Sequence, residues 1–494
     1  MKEPLPIARK FVAAKYTQDG LATLERKNGD FYFFNGVCYR EISDDVLRAE
    51  MYKFLESCVV VGSNDTLVPV NPNKTMVTKI TDALEAVVQM DDSFVVPCWL
   101  DDDKEHLPAD ELLICNNGLL HMPSRQTVSL NPAFFSLNAL SYDYASDAPE
   151  PVEFPKFLNS ILGGDPEAAD LLQEMFGYIV SGATSYQKIL AIVGPKRAGK
   201  GVLGRLLAAL VGRANVCNPS LGSFGTSFPL QPLIGKTLAL MSDARLDAKA
   251  NQKAIVEHML RVSGEDDVNV SRKNRTDWSG RLSARFMLLT NEVPRLADAS
   301  GALAGRFVTL VLTRSFYGRE DQDLTDKLLA ELPGILNWAL DGWDRLQKRG
   351  HFTVPASSKE VMQELEYLSS PILKFIEGEC FHTPEGGVAI DELFFAWTQW
   401  CGYEGRNYSG TKATFGRDLR AAYPQLHKSR RNIGGERPYY YEGIVLKNII
   451  DPTQQTGKKI LNPLMEGGEW FDDVHPGFGP CKVRAETAET CSWS

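Results

Sequence analysis

The chain predicts an α/β fold: a parallel-sheet core, a mixed α/β region before it, and a small helix-and-hairpin unit after it. Three observations carry this. From residue 187 to about 313, short apolar runs alternate with helix-period segments. One run, Ile189 to Val193, passes into the loop Gly194-Pro195-Lys196-Arg197-Ala198-Gly199-Lys200-Gly201 and then into a helix pattern from Val202 to Leu210. After residue 371 two apolar helix patterns precede a basic Gly-Gly turn between strand-like segments.

A chain of 494 residues exceeds one ordinary core, so two to four domains are expected. The net charge of −10 excludes a generally basic nucleic-acid coat; any such site must be a local patch. Nine scattered cysteines, odd in number and without Cys-x2-Cys spacing, read as reduced thiols. No run reaches the length of a membrane helix, and Met1 to Lys10 has no apolar signal core. The expected place is the cytoplasm, with no membrane partner.

In chain order, Asn35-Gly36 between apolar runs predicts a hairpin over Phe31 to Tyr39, and Ser43 predicts the N-cap of a helix from Asp44 to Cys58. Lys79 to Met90 reads as helix, and Leu112 to Leu120 as a second hairpin around Asn117-Gly118. Asp101-Asp102-Asp103 reads as a solvated loop. Asp147 to Pro155 is a proline-rich connector, so residues 1–150 form the N-terminal region. The core is expected over 151–355, with a long helical pattern from Leu324 to Arg349. Pro355 to Ser370 reads as a polar linker opening the C-terminal domain, 356–450. The tail, 451–494, has little periodicity and is expected to be disordered.

Strand, glycine-bounded loop, lysine and helix are the context of a phosphate-binding loop. Backbone N–H groups of Gly194 to Gly201 would face the phosphates, and Lys200 adds a positive charge. Gly201 stands where a Ser or Thr hydroxyl ordinarily ligates Mg²⁺. The metal must then rest on a carboxylate, water and the nucleotide. The apolar run Thr237 to Met241 ends at Ser242-Asp243, which makes Asp243 the expected Mg²⁺ ligand. Glu257, Glu265 and Asp266 stay open as candidates to orient the attacking water. The run Arg285 to Leu289 ends at Thr290-Asn291-Glu292, and Asn291 can orient water and sense the γ-phosphate. Arg306, held by small residues before the run Val308 to Leu312, is a candidate arginine finger for a neighbouring subunit's nucleotide.

These motifs in this order resemble the superfamily 3 helicases, in particular the phage and plasmid primase-helicase branch related to poxvirus primase-helicases. The resemblance rests on Gly194 to Gly201, Met241-Ser242-Asp243-Ala244-Arg245-Leu246, Leu289-Thr290-Asn291-Glu292-Val293-Pro294-Arg295 and Gly305-Arg306-Phe307. It extends to Asn116-Asn117-Gly118-Leu119-Leu120, Asp147-Ala148-Pro149 and Glu331-Leu332-Pro333-Gly334-Ile335-Leu336-Asn337-Trp338-Ala339. It implies a P-loop, AAA+-like core in a ring, usually a hexamer, that hydrolyses ATP with Mg²⁺ between subunits and moves along DNA. For a phage or plasmid protein this means the bacterial host cytoplasm. By the same resemblance Lys200 contacts phosphate, Asp243 holds the metal, Asn291 is the sensor and Arg306 acts in trans.

The family also places a channel hairpin before the sensor strand. Here Val268 and Val270 alternate as in a strand, and Arg272, Lys273 and Arg275 crowd its tip, where they would track a DNA backbone. Many relatives carry a primase domain; no carboxylate set for one stands out here, so primer synthesis is expected of a separate primase or polymerase. The C-terminal segment looks like a winged helix, with helices over Ile390 to Cys401 and Lys412 to Tyr423 and a wing from His427 to Arg437 closed by Tyr439 to Leu446. From Thr411 to Lys447, eight Lys/Arg face three Asp/Glu, a local excess of five. Lys412, Arg417, Arg420, Arg430 and Arg431 are the expected DNA contacts. The reading is an ATP-dependent DNA helicase acting in replication. One rival is an initiator that uses ATP only as a switch. The other is a small-molecule kinase, against which Asn291, Arg306 and the basic C-terminal unit speak.

Overall fold

The computed structural model describes residues 3–61, 66–91, 93–101, 103–242, 251–293, 296, 298, 301–405, 409–432 and 435–447. Asp243, Arg245 and the tail from 448 lie outside the described residues. The chain divides into two compact units, Met1–Pro371 and Ile372–Ser494.

The first unit opens with helix α1 (Pro4–Lys15), the antiparallel strands β1 (Leu24–Lys27), β2 (Asp30–Phe34) and β3 (Tyr39–Ile42), then α2 (Asp44–Glu56) and α3 (Lys74–Val87). The Ser43 side chain accepts from Val46 N–H, as an N-cap does, and Asp44 and Asp45 complement the dipole of the first turn. Leu47, Met51 and Leu55 recur at helical period and are buried with Phe11, Phe31, Ile80 and Leu84. The Asn35-Gly36 hairpin forms, but with a longer loop: Phe34 pairs with Tyr39, and Asn35 Oδ1 accepts from Val37 and Cys38 N–H, both at 3.0 Å. In the second hairpin, β4 (Leu112–Cys115) and β5 (Gly118–His121) pair Cys115 with Gly118, so the turn residues are Asn116-Asn117. Strand β6 (Gln126–Val128) completes that sheet.

Helices α4 (Glu153–Leu162) and α5 (Pro166–Val180) lead into β7 (Ile189–Val193), the strand before the loop, and α6 (Lys200–Leu210) follows it. The remaining core strands are β8 (Val216–Cys217), β9 (Leu238–Met241), β12 (Arg285–Thr290) and β13 (Phe307–Val311). Between β9 and β12 come α7 (Gln252–Ser263) and a hairpin, β10 (Val268–Val270) with β11 (Trp278–Gly280). The central sheet is parallel throughout, in the order β8-β9-β12-β7-β13. Along β7, Leu190 and Ile192 enter one hydrophobic cluster, while Ile189 and Ala191 enter another. A strand buried on both faces reads as a continuous apolar run, as this one does. This is the mixed α/β fold with a P-loop-type core that the sequence predicts.

The helical pattern from 324 splits into α8 (Leu324–Ala330) and α9 (Leu332–Arg349). Glu331, at the break, accepts from Val152, Glu153 and Phe154 N–H at 2.8–2.9 Å and so caps α4. Burial raises its pKa, yet these three donors outweigh it and leave the carboxyl below its usual range. Where a polar linker is expected, the chain forms α10 (Ala356–Ser369). Val361, Leu365 and Leu368 make a narrow apolar stripe at helical spacing, and Leu365 is buried in the cluster that holds Ile189 and Ala191.

The second unit runs α11 (Pro371–Glu379), β14 (Cys380–Ala389), α12 (Ile390–Tyr403), α13 (Lys412–Ala422), β15 (His427–Arg430) and β16 (Tyr439–Leu446). Its antiparallel sheet has the order β14-β16-β15, and Phe375, Trp397, Trp400, Phe415 and Tyr441 fill its core. Helix, strand, two helices and a hairpin is the winged-helix-like order. Among the described residues no helix is long and apolar enough to cross a membrane.

Candidate nucleotide site and nucleic-acid surface

The loop leaves β7 at its C-terminal end. Two glycines shape it. A Cβ at Gly194 would lie 2.4 Å from Leu312 O, and Gly199 sits at φ +95° with Ile161 Cγ2 3.0 Å from where a Cβ would stand. Arg197 also has a left-handed backbone, φ +61°. The N–H groups of Arg197, Gly199, Lys200 and Gly201 donate to no acceptor among the described residues. Lys196 and Arg197 carbonyls, by contrast, are occupied by Ser315 Oγ (2.8 Å) and Phe316 N–H (2.9 Å). The Lys196 and Arg197 carbonyls are thus taken up elsewhere, and the loop presents donors at a helix N-terminus, which is the electrostatics of an anion site.

Lys200 Nζ folds onto this loop, donating to Gly194 O (2.6 Å), Pro195 O (2.7 Å) and Asn291 Oδ1 (3.0 Å). Partial burial holds its ammonium below the usual lysine pKa. Asn291 gets there because β12 pairs with β7 in parallel register, Val193 opposite Thr290. The two expected residues, 91 positions apart, thus meet at one sheet edge. Strand β9 ends at the same edge, with Met241 opposite Leu288. Asp243 follows two residues later, outside the described residues. Among the described residues no cluster of three or more metal-ligating side chains forms. Sterics do not impose glycine at 201: a Cβ there meets only Arg205 Nη1, at 3.4 Å.

Arg306 stands elsewhere. Phe307 pairs with Ile189, so Arg306 precedes β13 at the N-terminal edge of the sheet, about 13 Å of strand away from the loop. Its Nη1 is buried without a hydrogen-bond partner among the described residues. Lys188 lies beside it, held to Gly305 O at 2.6 Å, its pKa lowered by burial and by Arg306. Glu265 belongs to this edge too, accepting from Thr184 Oγ1 and Gln187 Nε2, and so is not at the Lys200 site. Within one chain, Arg306 and Lys200 do not meet.

The β10–β11 hairpin forms with Val268 opposite Gly280 and Val270 opposite Trp278. Its basic residues are not equivalent. Arg272 is buried, ion-paired with Asp30 and bonded to Asn28 O (3.1 Å) and Thr276 O (2.7 Å). Arg275 pairs with Glu41 at 2.6 Å and Asp30 at 3.4 Å. Burial raises the Asp30 pKa, and Arg272 and Arg275 pull it back. Both arginines, expected as DNA contacts, here tie the hairpin to β2 and β3. Lys273 is exposed at the tip.

In the second unit three expected contacts are also paired within the chain: Lys412 with Asp391, Arg417 with Asp418, and Arg431 with Glu442. Arg420 lies at the Tyr441 hydroxyl. Register separates the wing's two faces. Arg430 is opposite Tyr439 and Lys428 opposite Tyr441, while Ser429 and Tyr440 point the other way. Lys428 Nζ and Arg430 Cζ lie 4.4 Å and 4.3 Å from the Tyr439 ring centroid. No carboxylate among the described residues pairs with either. Lys428 and Tyr439 were not singled out by the sequence reading; their signal is the alternation of Lys428, Ser429 and Arg430 opposite three tyrosines. Replacing Lys428 and Arg430 together by Ala is expected to reduce the salt dependence of DNA binding by about two phosphate contacts. The slope of log K against log salt checks this; an unchanged slope places DNA elsewhere.

A family model described as a family of unknown function (DUF5906) matches residues 192–306, from within β7 to Arg306. Three solved structures are similar in outline. "The A form apo structure of NrS-1 C terminal region-CTR" is 11% identical with a TM-score of 0.48, covering 90% of this chain and 100% of that chain. "The apo structure of NrS-1 C terminal region (305-718)" is 11% identical with a TM-score of 0.45 and the same coverages, 90% and 100%. "The A form apo structure of NrS-1 C terminal region-CTR(305-718)" is 12% identical with a TM-score of 0.43, again covering 90% and 100%.

Proposed function

We propose that this chain is an ATP-dependent DNA helicase of a phage, plasmid or other mobile element, working as a ring oligomer in replication. The observation that carries the proposal is the contact of Lys200 with Asn291 beneath a loop of unpaired backbone donors. A triphosphate replaces the carbonyls that Lys200 now holds, and the loop N–H groups take its oxygens. Asn291 then orients the water that attacks the γ-phosphorus as the bond to ADP breaks. Mg²⁺, when bound, would neutralise phosphate charge; Asp243 is its proposed ligand, since residue 201 offers no hydroxyl. Arg306 is proposed to complete a neighbour's site, because in its own chain it stands at the wrong edge of the sheet. Lys273 and the Lys428–Arg430 wing are the proposed DNA contacts.

Arg306→Ala is expected to lower kcat by about 10³-fold or more while leaving ATP affinity nearly unchanged. Mixing it with Lys200→Ala subunits should restore part of the activity, since some junctions then hold an intact lysine and an intact arginine. No restoration in a mixed oligomer counts against action in trans. The ATPase rate with and without single-stranded DNA, with particle mass measured in parallel, tests the motor as a whole. Strand displacement on forked DNA separates it from an initiator that only switches.

A further inference from the structure

The turn between β1 and β2 reaches the tip of the β10–β11 hairpin. Lys27 pairs with Asp30, so Asn28-Gly29 is a two-residue turn, with φ +52° and +82°. A Cβ at Gly29 would lie 2.8 Å from Thr276 Oγ1, so glycine, free at this φ and without a Cβ, lets the turn pack on the tip. Arg272 joins the two. Its Nε donates to Thr276 O (2.7 Å) and its Nη2 to Thr276 Oγ1 (3.4 Å), which closes the tip on itself. Nη2 also donates to Asn28 O (3.1 Å) and Nη1 to Asp30, which ties the tip to β2. The side chains of Arg272 and Asp30 are only 3% and 10% exposed. Arg275, paired with Glu41, makes a second and more exposed tie, to β3.

Lys273 stands between the two tied arginines, and its own N–H donates to Gln231 Oε1 at 3.2 Å. Its backbone is therefore held while its side chain is exposed. A surface pair such as Arg275–Glu41 contributes little to this hold. The buried pair differs. Removing Asp30 leaves a desolvated guanidinium without its counter-charge, and the tip must open to hydrate it. We propose that Asp30 is a positioning residue for the DNA-contacting tip: through Arg272 it fixes where Lys273 presents its charge. The β1–β3 sheet then serves as the hairpin's footing. The proposal rests on the reading of Lys273 as a DNA contact.

The test is the affinity of the full chain for a fluorescent single-stranded oligonucleotide, in the parent, Asp30→Ala, Lys273→Ala and the double variant. Asp30→Ala and Lys273→Ala should each weaken binding by about tenfold, and the double variant should bind no more weakly than Lys273→Ala alone. ATP hydrolysis without DNA should be unchanged in Asp30→Ala, which a general loss of fold would not allow. Parent-like affinity in Asp30→Ala beside a weakened Lys273→Ala overturns the positioning role and leaves Lys273 as a contact. Losses that multiply in the double variant overturn it in favour of separate roles. Tighter binding by Asp30→Ala also overturns it, since the freed guanidiniums then hold phosphate themselves. Parent-like affinity in Lys273→Ala removes the DNA-contact reading, and the positioning role with it. If Asp30→Ala does not fold, Asp30→Asn, which keeps an oxygen facing Arg272, takes its place in the same cycle with a smaller expected loss.

Discussion

Lys200→Ala is expected to abolish ATP hydrolysis, with kcat/KM falling by about 10³-fold or more, without loss of the fold. Among the described residues, only Lys200 brings a formal positive charge to both the loop carbonyls and Asn291. The transition state spreads negative charge over the γ-phosphoryl oxygens, and one preorganised donor removed from such a site costs about 10²–10³ in rate. Loss of the one hydrogen-bond partner that Asn291 Oδ1 has among the described residues adds to this. Lys200→Arg should not rescue. The ammonium sits 2.6 Å and 2.7 Å from two adjacent carbonyls, a compact geometry that a planar guanidinium does not reproduce. Steady-state ATPase assays check the rates, and a thermal melt should be unchanged because the side chain is at the surface of the loop. Hydrolysis within about tenfold of the parent would remove the loop as the nucleotide site.

Glu174→Ala is expected to cost about 3 kcal/mol of stability. Glu174 is fully buried on α5. Its Oε1 accepts from Arg345 Nε (2.9 Å) and Thr353 Oγ1 (3.0 Å), and its Oε2 from Arg349 Nη2 and Thr353 N–H (both 2.8 Å). Every lone-pair direction is used, and α5, α9 and the chain leaving α9 are joined by one carboxylate. Truncation takes the buried carboxylate from two guanidiniums and a backbone donor and leaves a cavity, although Arg345 keeps Gln173 and Asp170 and Arg349 keeps His351 O. Both arginines keep about a third of their exposure, so they regain some hydration, which sets the expectation at the lower end of the range for broken buried pairs. Glu174→Gln keeps one acceptor oxygen and should lose less. Chemical denaturation reads the difference; an unchanged midpoint for Glu174→Ala means the network contributes nothing net.

Neither effect is equally visible in the sequence. Lys200 is legible because its surroundings are local: an apolar strand, a glycine-bounded turn and a helix lie within about twenty residues, and backbone geometry does the rest. Asn291 is legible for a similar reason, standing at the end of a buried run. Glu174, by contrast, sits among Leu171, Leu172, Met175 and Phe176 and looks like one polar residue of an amphipathic helix. Its partners are about 170 residues away on α9. The α10 segment reads as a linker because its stripe of three apolar residues is thin enough to resemble a polar stretch until β13 and the turn before it, Ala304–Arg306, supply the surface it covers.

The sequence by itself determined the α/β core, the loop with its lysine, the amide at the next strand's end and the winged-helix-like order of the second unit. These depend on hydrophobic period and turn chemistry, which act over a few residues. Which cations stay free was decided only by tertiary structure. Arg272 and Arg275 look the same as Lys273 along the chain, yet Asp30 and Glu41, more than 230 residues earlier, claim the first two. Lys428, Arg430 and Arg431 look alike along the chain, but Lys428 and Arg430 lie over the Tyr439 ring while Arg431, just past β15, pairs with Glu442. A charge is neutralised by whatever lies a few ångströms from it, and over such separations in sequence only the packed fold sets that distance.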